Sequence, residues 1–373
     1  MRVTQTMLAQ NSLRHLSQSY DQLGRLQDQL STGKKITRAS QDPVAAMNGM
    51  RYRSQSAEVQ QFQRNSGEVY NWMESSDDAL DKATQALHRV RELATQAAND
   101  SYDENQRANI AKEVSQLYEH LVSMANTKSN DKYIFNGADT TNPPVDQDGL
   151  DLSLSSIEDL PNDEKEQHSI AFRGNVYRYE ETDGDEVTFK NEHNHTTITI
   201  DFAGDEAAVS HKSEGDTTEL RDRDVVLARN DAVSADKKDV EMELLQGVTI
   251  PVNANAENVF SSALFGDVKR LEKALEDPEA DGEELTTFID TIDQHVDNMV
   301  NERAEMGARL NRVEMIEERL GSQEVIAERI MSENEDADME KVITDLMSQE
   351  NVHRAALGAG ARIIQPTLMD FLR

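Results

Sequence analysis

Nine residues in strict alternation of four and three, Val69, Met73, Ser76, Leu80, Ala83, Leu87, Val90, Ala94 and Ala97, constrain this chain more than any other feature. Small and apolar side chains at that spacing stay on one face of a helix, and the face must be buried against another helix. Asp42 and Pro43 supply the start, because a carboxylate accepts from free first-turn amides and proline suits the first helical position. A helix from 43 to about 98 would be roughly 80 Å long at 1.5 Å per residue.

Partners for that seam lie on both sides of it in sequence. After Asn99 and Asp100, Ser101 with Glu104 predicts a capping box, and Ile110, Val114, Leu117, Leu121 and Met124 predict an antiparallel neighbour across a short turn. Ile289, Ile292, Val296, Met299, Met306, Leu310, Val313 and Leu320 keep the same heptad, interrupted only by Arg303 and Glu317, and predict a third long helix.

The two ends repeat the pattern without an evident local partner. Leu13, Leu16, Tyr20, Leu23, Leu26 and Leu30 form one stripe, which Gly33 stops as a helix C-terminal glycine does. Residues 33–42 then read as a hinge marked by Gly33, Asp42 and Pro43. Val342, Leu346, His353, Ala356, Gly360 and Ile363 form a second stripe, which Pro366 ends or kinks. Each stripe, alone, is expected to be disordered in the monomer until a partner arrives, which is the pattern of a self-assembling subunit.

Between about 139 and 252 the period changes to short β-branched and aromatic runs at 170–172, 176–179, 187–189 and 197–202, punctuated by turns such as Asp183-Gly184. The fold class is therefore mainly α, a long antiparallel helical bundle or coiled coil formed by the N- and C-terminal parts, with an inserted β-rich domain. Three parts are expected: a terminal coiled coil (1–42 with 334–373), a long-helix bundle (43–138 with 253–333) and an acidic outer insert (139–252).

Charge follows the same division. The formal total is -33, yet residues 1–60 hold eight basic against four acidic side chains while residues 141–250 hold ten against 27. Such a chain repels phosphate, so nucleic acid and an anionic membrane surface are not expected partners. No run approaches the roughly 20 apolar residues of a spanning helix, and residues 1–11 lack the order of a secretory signal, so any export is expected to proceed without one.

Few residues offer chemistry. The chain has no cysteine, which removes disulfides, thiolate metal sites and a cysteine nucleophile. His193 and His195, two apart on an expected strand, would share a face and are the weak candidates for a metal, with Asp201, His168 and His211 in the same region. Exposed histidines beside acidic residues usually bind nothing, so no metal and no cofactor are expected. No Gly-x-Ser-x-Gly elbow occurs, and Gly358 and Gly360 lack the strand that a dinucleotide turn requires. The expectation is a protein that is not an enzyme.

Separated motifs carry a resemblance. Met1-Arg2-Val3-Thr4-Gln5, the run from Leu26 through Ser31-Thr32-Gly33-Lys34-Lys35-Ile36, Ser40-Gln41-Asp42-Pro43-Val44-Ala45-Ala46, Tyr133-Ile134-Phe135-Asn136-Gly137 and the stretch from Glu335 to Arg373 are similar to the bacterial flagellin superfamily, over roughly the first 140 and last 120 residues. The hinge and the tail Pro366-Thr367-Leu368-Met369-Asp370-Phe371-Leu372 resemble hook–filament junction proteins more than filament flagellin, although such proteins usually carry Asp where this chain has Gln41. The resemblance implies a structural subunit of the extracellular flagellum, exported unfolded through the flagellar type III apparatus. The implied partners are itself in a ring, the first hook-associated protein, filament flagellin and an export chaperone. The C-terminal helix, with Val342, Leu346, Ala356, Leu357, Ile363, Ile364, Leu368, Phe371 and Leu372, is the implied assembly and chaperone surface. The remaining alternatives are filament flagellin itself and an intracellular coiled-coil adaptor with a β ligand-binding insert.

Overall fold

The structure, a computed structural model, describes residues 5–99, 103–158, 160–204, 207–213, 216–254, 256–278, 280 and 282–364. The chain divides into two compact units, residues 64–317 and residues 1–63 with 318–373. Six helices of ten or more residues carry them: α1 Gln5–Thr32, α2 Pro43–Ala97, α3 Glu104–Ala125, α4 Ser262–Glu276, α5 Gly282–Glu335 and α6 Met339–Ile364. Asp42 starts α2 as its sequence suggests, Oδ1 accepting from the amides of Val44 and Ala45 at 3.0 Å each.

All nine seam residues of α2 from Val69 to Ala97 are buried, none more than 2% exposed. Their counterpart on α5 is Ile292, Val296, Met299, Met306 and Val313, all buried, while Ile289 and Leu310 are half-buried. Glu317 is exposed, and Ile316 one residue before it is buried in its place, so the stripe steps out of phase there before Leu320. Arg303 also interrupts it, and reaches across to Asp77 at 3.0 Å and Asp81 at 2.7 Å on α2. The break in the apolar pattern is thus an ion pair between the helices that the seam joins.

Tyr118 of α3, Phe265 of α4, Phe260 and Phe135 thicken this core, packing edge to face in the pairs Tyr118–Phe265 and Phe135–Phe260. The start of α3 corrects one expectation. Its capping box is Asp103 with Gln106, the carboxylate accepting from the Gln106 amide at 2.9 Å and the Gln106 side chain from the Asp103 amide at 3.3 Å. Asp103 stands immediately before Glu104, so it and not Ser101 occupies the capping position; Ser101 lies outside the described residues.

The insert is a seven-stranded antiparallel sheet: β1 His168–Phe172, β2 Asn175–Asp183, β3 Glu186–Lys190, β4 Thr197–Asp201, β5 Ala208–Ser213, β6 Asp216–Leu220 and β7 Val226–Arg229, in the order β6-β5-β4-β3-β2-β1-β7. A separate hairpin joins β8 Glu241–Leu245 to β9 Val248–Pro251. Helix α4 lies directly on β1: a Cβ added to Gly266 would overlap the Ala171 Cβ. One residue on, the fully buried Asp267 accepts from the Gly174 amide at 2.8 Å and from Arg270 Nη1 at 2.9 Å, with His295 Nε2 of α5 also at 2.9 Å. That carboxylate ties the β1–β2 turn to two helices of the bundle.

Two glycine substitutions separate close packing from helix propensity. Gly266→Ala should cost about 1–3 kcal/mol, because the added methyl has no room against Ala171. Gly307→Ala, on exposed α5 with open space around it, should gain up to about 1 kcal/mol. Chemical denaturation of the two variants checks the opposite signs.

Candidate functional site

Helices α1 and α6 pack against each other in antiparallel fashion. The two stripes, distant in sequence, cover one another. On α1 the seam is Leu16, Ser19, Leu23, Leu26 and Leu30; on α6 it is Val342, Leu346, Gln349, His353, Ala356 and Gly360. Gln349 Nε2 donates to Ser19 Oγ at 3.2 Å, His353 Nδ1 lies 3.2 Å from the same hydroxyl, and Gly360 sits over Leu16.

The pairing sorts the predicted residues. Leu16, Leu23, Leu26, Leu30, Leu346 and Ala356 are half-buried on the seam, and Val342 is buried. Leu13 and Tyr20 are 58% and 71% exposed, because the in-phase position is the buried Ser19 and Tyr20 stands one residue beyond it. Leu357 is likewise off the seam and 49% exposed. Helix α6 ends at Ile364; the side chains of Ile363 and Ile364, and Leu368, Phe371 and Leu372 entirely, lie outside the described residues. Ser19 and Gln349 are the seam residues that a search for apolar side chains misses; only their phase reveals them.

The hinge is built as a clasp. Gly33 takes φ +70, its amide donating to Gln29 O at 2.9 Å, so it ends α1 in the left-handed conformation that glycine adopts without strain. The chain then pairs with the α5–α6 connection: the Lys35 amide donates to Glu335 O at 2.7 Å and the Ala337 amide to Gly33 O at 2.8 Å. Lys34 Nζ bonds Asp336 at 2.7 Å, Arg53 Nη2 bonds the buried Glu335 at 2.6 Å, and Asn334 Nδ2 donates to Ala45 O at 3.0 Å. Gly49 lets the Glu335 side chain approach closely here, since a Cβ on it would meet Glu335 Oε1 at 2.7 Å. Gln41 serves the turn by accepting from the Thr37 amide at 2.9 Å.

His193 and His195 are not on a strand. They stand exposed in the turn between β3 and β4, where Asn191 Oδ1 accepts from the amides of His193 and Asn194 and the chain leaves the sheet at Lys190. The period-two argument for a shared face therefore does not apply to them. Among the described residues no group of three or more His, Asp or Glu side chains is placed to hold a metal ion. His168 and His211 are spoken for by Glu164 O at 2.9 Å and Tyr177 Oη at 3.3 Å.

Residues 3–140 match the bacterial flagellin N-terminal helical region. Over 148 residues, 39% of this chain and 47% of the other, the chain is 27% identical to flagellar hook-associated protein 3 of Salmonella typhimurium. Over 126 residues, 34% of each chain, it is 33% identical to polar flagellin E of Vibrio parahaemolyticus. The chain thus spans about half the length, or less, of these curated relatives. Among solved structures, a proposed flagellar hook-associated protein from Vibrio parahaemolyticus matches with TM-score 0.54 at 13% identity, covering 79% of this chain and 100% of that one, a likeness of fold.

The clasp titrates. A hydrogen bond from Arg53 holds the Glu335 carboxyl below its ordinary value of 4.5, and bonds from Lys34 and Ser332 hold Asp336 below 3.8. Carboxyls depressed in the folded state contribute stability that is fully present above the unfolded values and lost as pH falls through the folded ones. Amide exchange, corrected for its intrinsic rate, should show Lys35 and Ala337 protected above pH 4.5 and losing protection below it. Glu335→Gln should weaken that protection at neutral pH and flatten its pH dependence.

Proposed function

We propose that this chain, a flagellin-superfamily protein similar to hook-associated protein 3, is the structural subunit that joins hook to filament in the bacterial flagellum. The observation that carries the reading is the terminal helix pair. Its seam is thin and partly polar, with Ser19, Gln349, His353 and Gly360 among the contacts, while Met7, Leu13, Tyr20, Ile343, Met347, Val352 and Leu357 stand 41–71% exposed around it. A pair so poorly covered gains most of its stability from neighbouring copies. The work is mechanical and not catalytic.

On this reading the subunits form a ring whose terminal helices consolidate on assembly, with the first hook-associated protein on the hook side and filament flagellin on the other. Export is through the flagellar apparatus, as an unfolded chain, and an export chaperone covers the apolar face of α6 before assembly. The acidic insert, with 27 acidic side chains between 141 and 250, suits an outward position where like charges are screened by water and salt. The likeness to polar flagellins supports a filament subunit as the second reading.

Cells deleted for the gene separate the two. Bare hooks with flagellin shed into the medium are expected of a junction subunit; normal filaments would overturn the junction role. In the purified protein, Leu23→Asp places a charge on the half-buried seam and should abolish assembly. The main melting transition, from the core of residues 64–317, should stay within about 0.5 kcal/mol of the parent, because distant surface changes seldom exceed that. Strong amide protection over 13–30 and 346–364 in the isolated monomer would count against consolidation on assembly.

A further inference from the structure

The hinge borders a half-open groove of about 190 Å³ lined by Ile36, Ala46, Gly49, Met50, Arg53 and the Glu335 carboxylate that Arg53 pairs, among others. A void of about 150 Å³ accommodates a benzene ring, so the groove has room for one aliphatic side chain. Its rim is apolar and cationic together. Val44, Met47 and Met50 are 62–64% exposed, and the exposed Arg38 and Arg51 have no carboxylate within ion-pair distance among the described residues. Between 34 and 53 the chain holds five cations, Lys34, Lys35, Arg38, Arg51 and Arg53, against the single acid Asp42.

The first turns of α6 offer the opposite charge on an exposed face: Glu340, Ile343 and Met347 fall at i, i+3 and i+7 beside the seam, whereas Glu335 and Asp336, just before the helix, already pair with Arg53 and Lys34 of their own hinge. Ile343 and Met347 are 41% and 62% exposed. These are the anchors by which an amphipathic helix enters a groove, with charge of the opposite sign to the groove's rim.

We propose that the hinge is a docking site for a second copy of this chain, whose α6 lays Glu340, Ile343 and Met347 across the groove with Glu340 beside Arg38 and Arg51. The inference rests on the self-assembly reading and specifies its contact. Because the groove and the helix face are different patches of one molecule, the contact is heterologous: every copy offers both halves, and the chain of contacts closes into a ring or continues as a helix. An isologous contact through either patch alone would set cations against cations or carboxylates against carboxylates.

The absence of cysteine makes the contact readable. Full-length Met50→Cys and Met347→Cys proteins, each altered at an exposed side chain, are mixed under oxidised glutathione, so that a disulfide joining position 50 to position 347 can form only between two chains. The mixture should yield cross-linked dimer at least about fivefold above either protein alone. Adding Arg51→Glu to the Met50→Cys chain should cut the yield severalfold, the size expected for reversing an exposed pair, and Glu340→Arg in the partner should restore it. Equal cross-linking by each variant alone, or indifference to the charge reversals, overturns this docking while leaving self-assembly standing. Chains that remain monomeric by sedimentation at every concentration overturn both.

Discussion

Everything in the larger unit depends on burying one stripe. A heptad seam of alanine, leucine, valine and methionine covers only a narrow sector of a 55-residue helix, so the rest of that helix must be polar to remain in water. This accounts for an aromatic content of 5% and a mean hydropathy of -0.71 in a protein with a well-buried core. Where α3 and α4 join α2 and α5, the core widens and takes in aromatic rings. In the smaller unit α1 and α6 meet as a pair, along a seam that leaves most of its leucines half-buried.

A narrow seam leaves register poorly determined, since sliding by one heptad exchanges like for like. Charges placed on or beside the seam remove that freedom. Arg303 meets Asp77 and Asp81 at one level of the long helices, Tyr70 Oη donates to Glu314 at 2.7 Å at another, and Arg53 meets Glu335 near the hinge. Pairs as exposed as these contribute little net stability, but each can form only where the two helices are at one level, which suits them to setting register. Asp267 does the same for the insert, through three partners on three elements, and burial pushes the neighbouring Arg270 guanidinium down while Asp267 opposes the shift.

The long helices were legible because their period is strict and long. The Val69–Ala97 alternation, Asp42-Pro43 and Gly33 mark features that depend on side-chain spacing and backbone chemistry within a few residues. What failed depended on phase or on distance. Tyr20 fits the apolar stripe by type but not by phase, and Ser19 the reverse. Shared stripes suggest that α1 and α6 pair, but the contacts that set their register, Ser19 with Gln349 and His353, join residues more than 300 apart and have no trace in the period. Strands β5 and β6 escaped because Ala208–Ser213 and Asp216–Leu220 lie at the exposed end of the sheet, where little burial demands alternation, and β7 because its four residues, at the other edge, are nearly all buried and so do not alternate. His193 and His195 misled because Asn191 ends the strand just before them.

The terminal pair and the long-helix seam use one spacing for different ends. In α2 the in-phase positions carry leucine, valine and methionine with alanine and one serine, and burial is complete without any other molecule. In α1 and α6 several in-phase positions are serine, glutamine, histidine, alanine or glycine, and the larger apolar groups, Tyr20, Met347 and Leu357, stand outside the pair. Apolar surface left in water represents about 25 cal/mol per Å² of unrealised stabilisation, available only to whatever covers it. A helix pair that keeps several large apolar side chains outside its seam therefore leaves part of its possible stabilisation unrealised. The clasp at Glu335 and Asp336 holds the two terminal segments in antiparallel register, so that those outward rows stay fixed relative to one another.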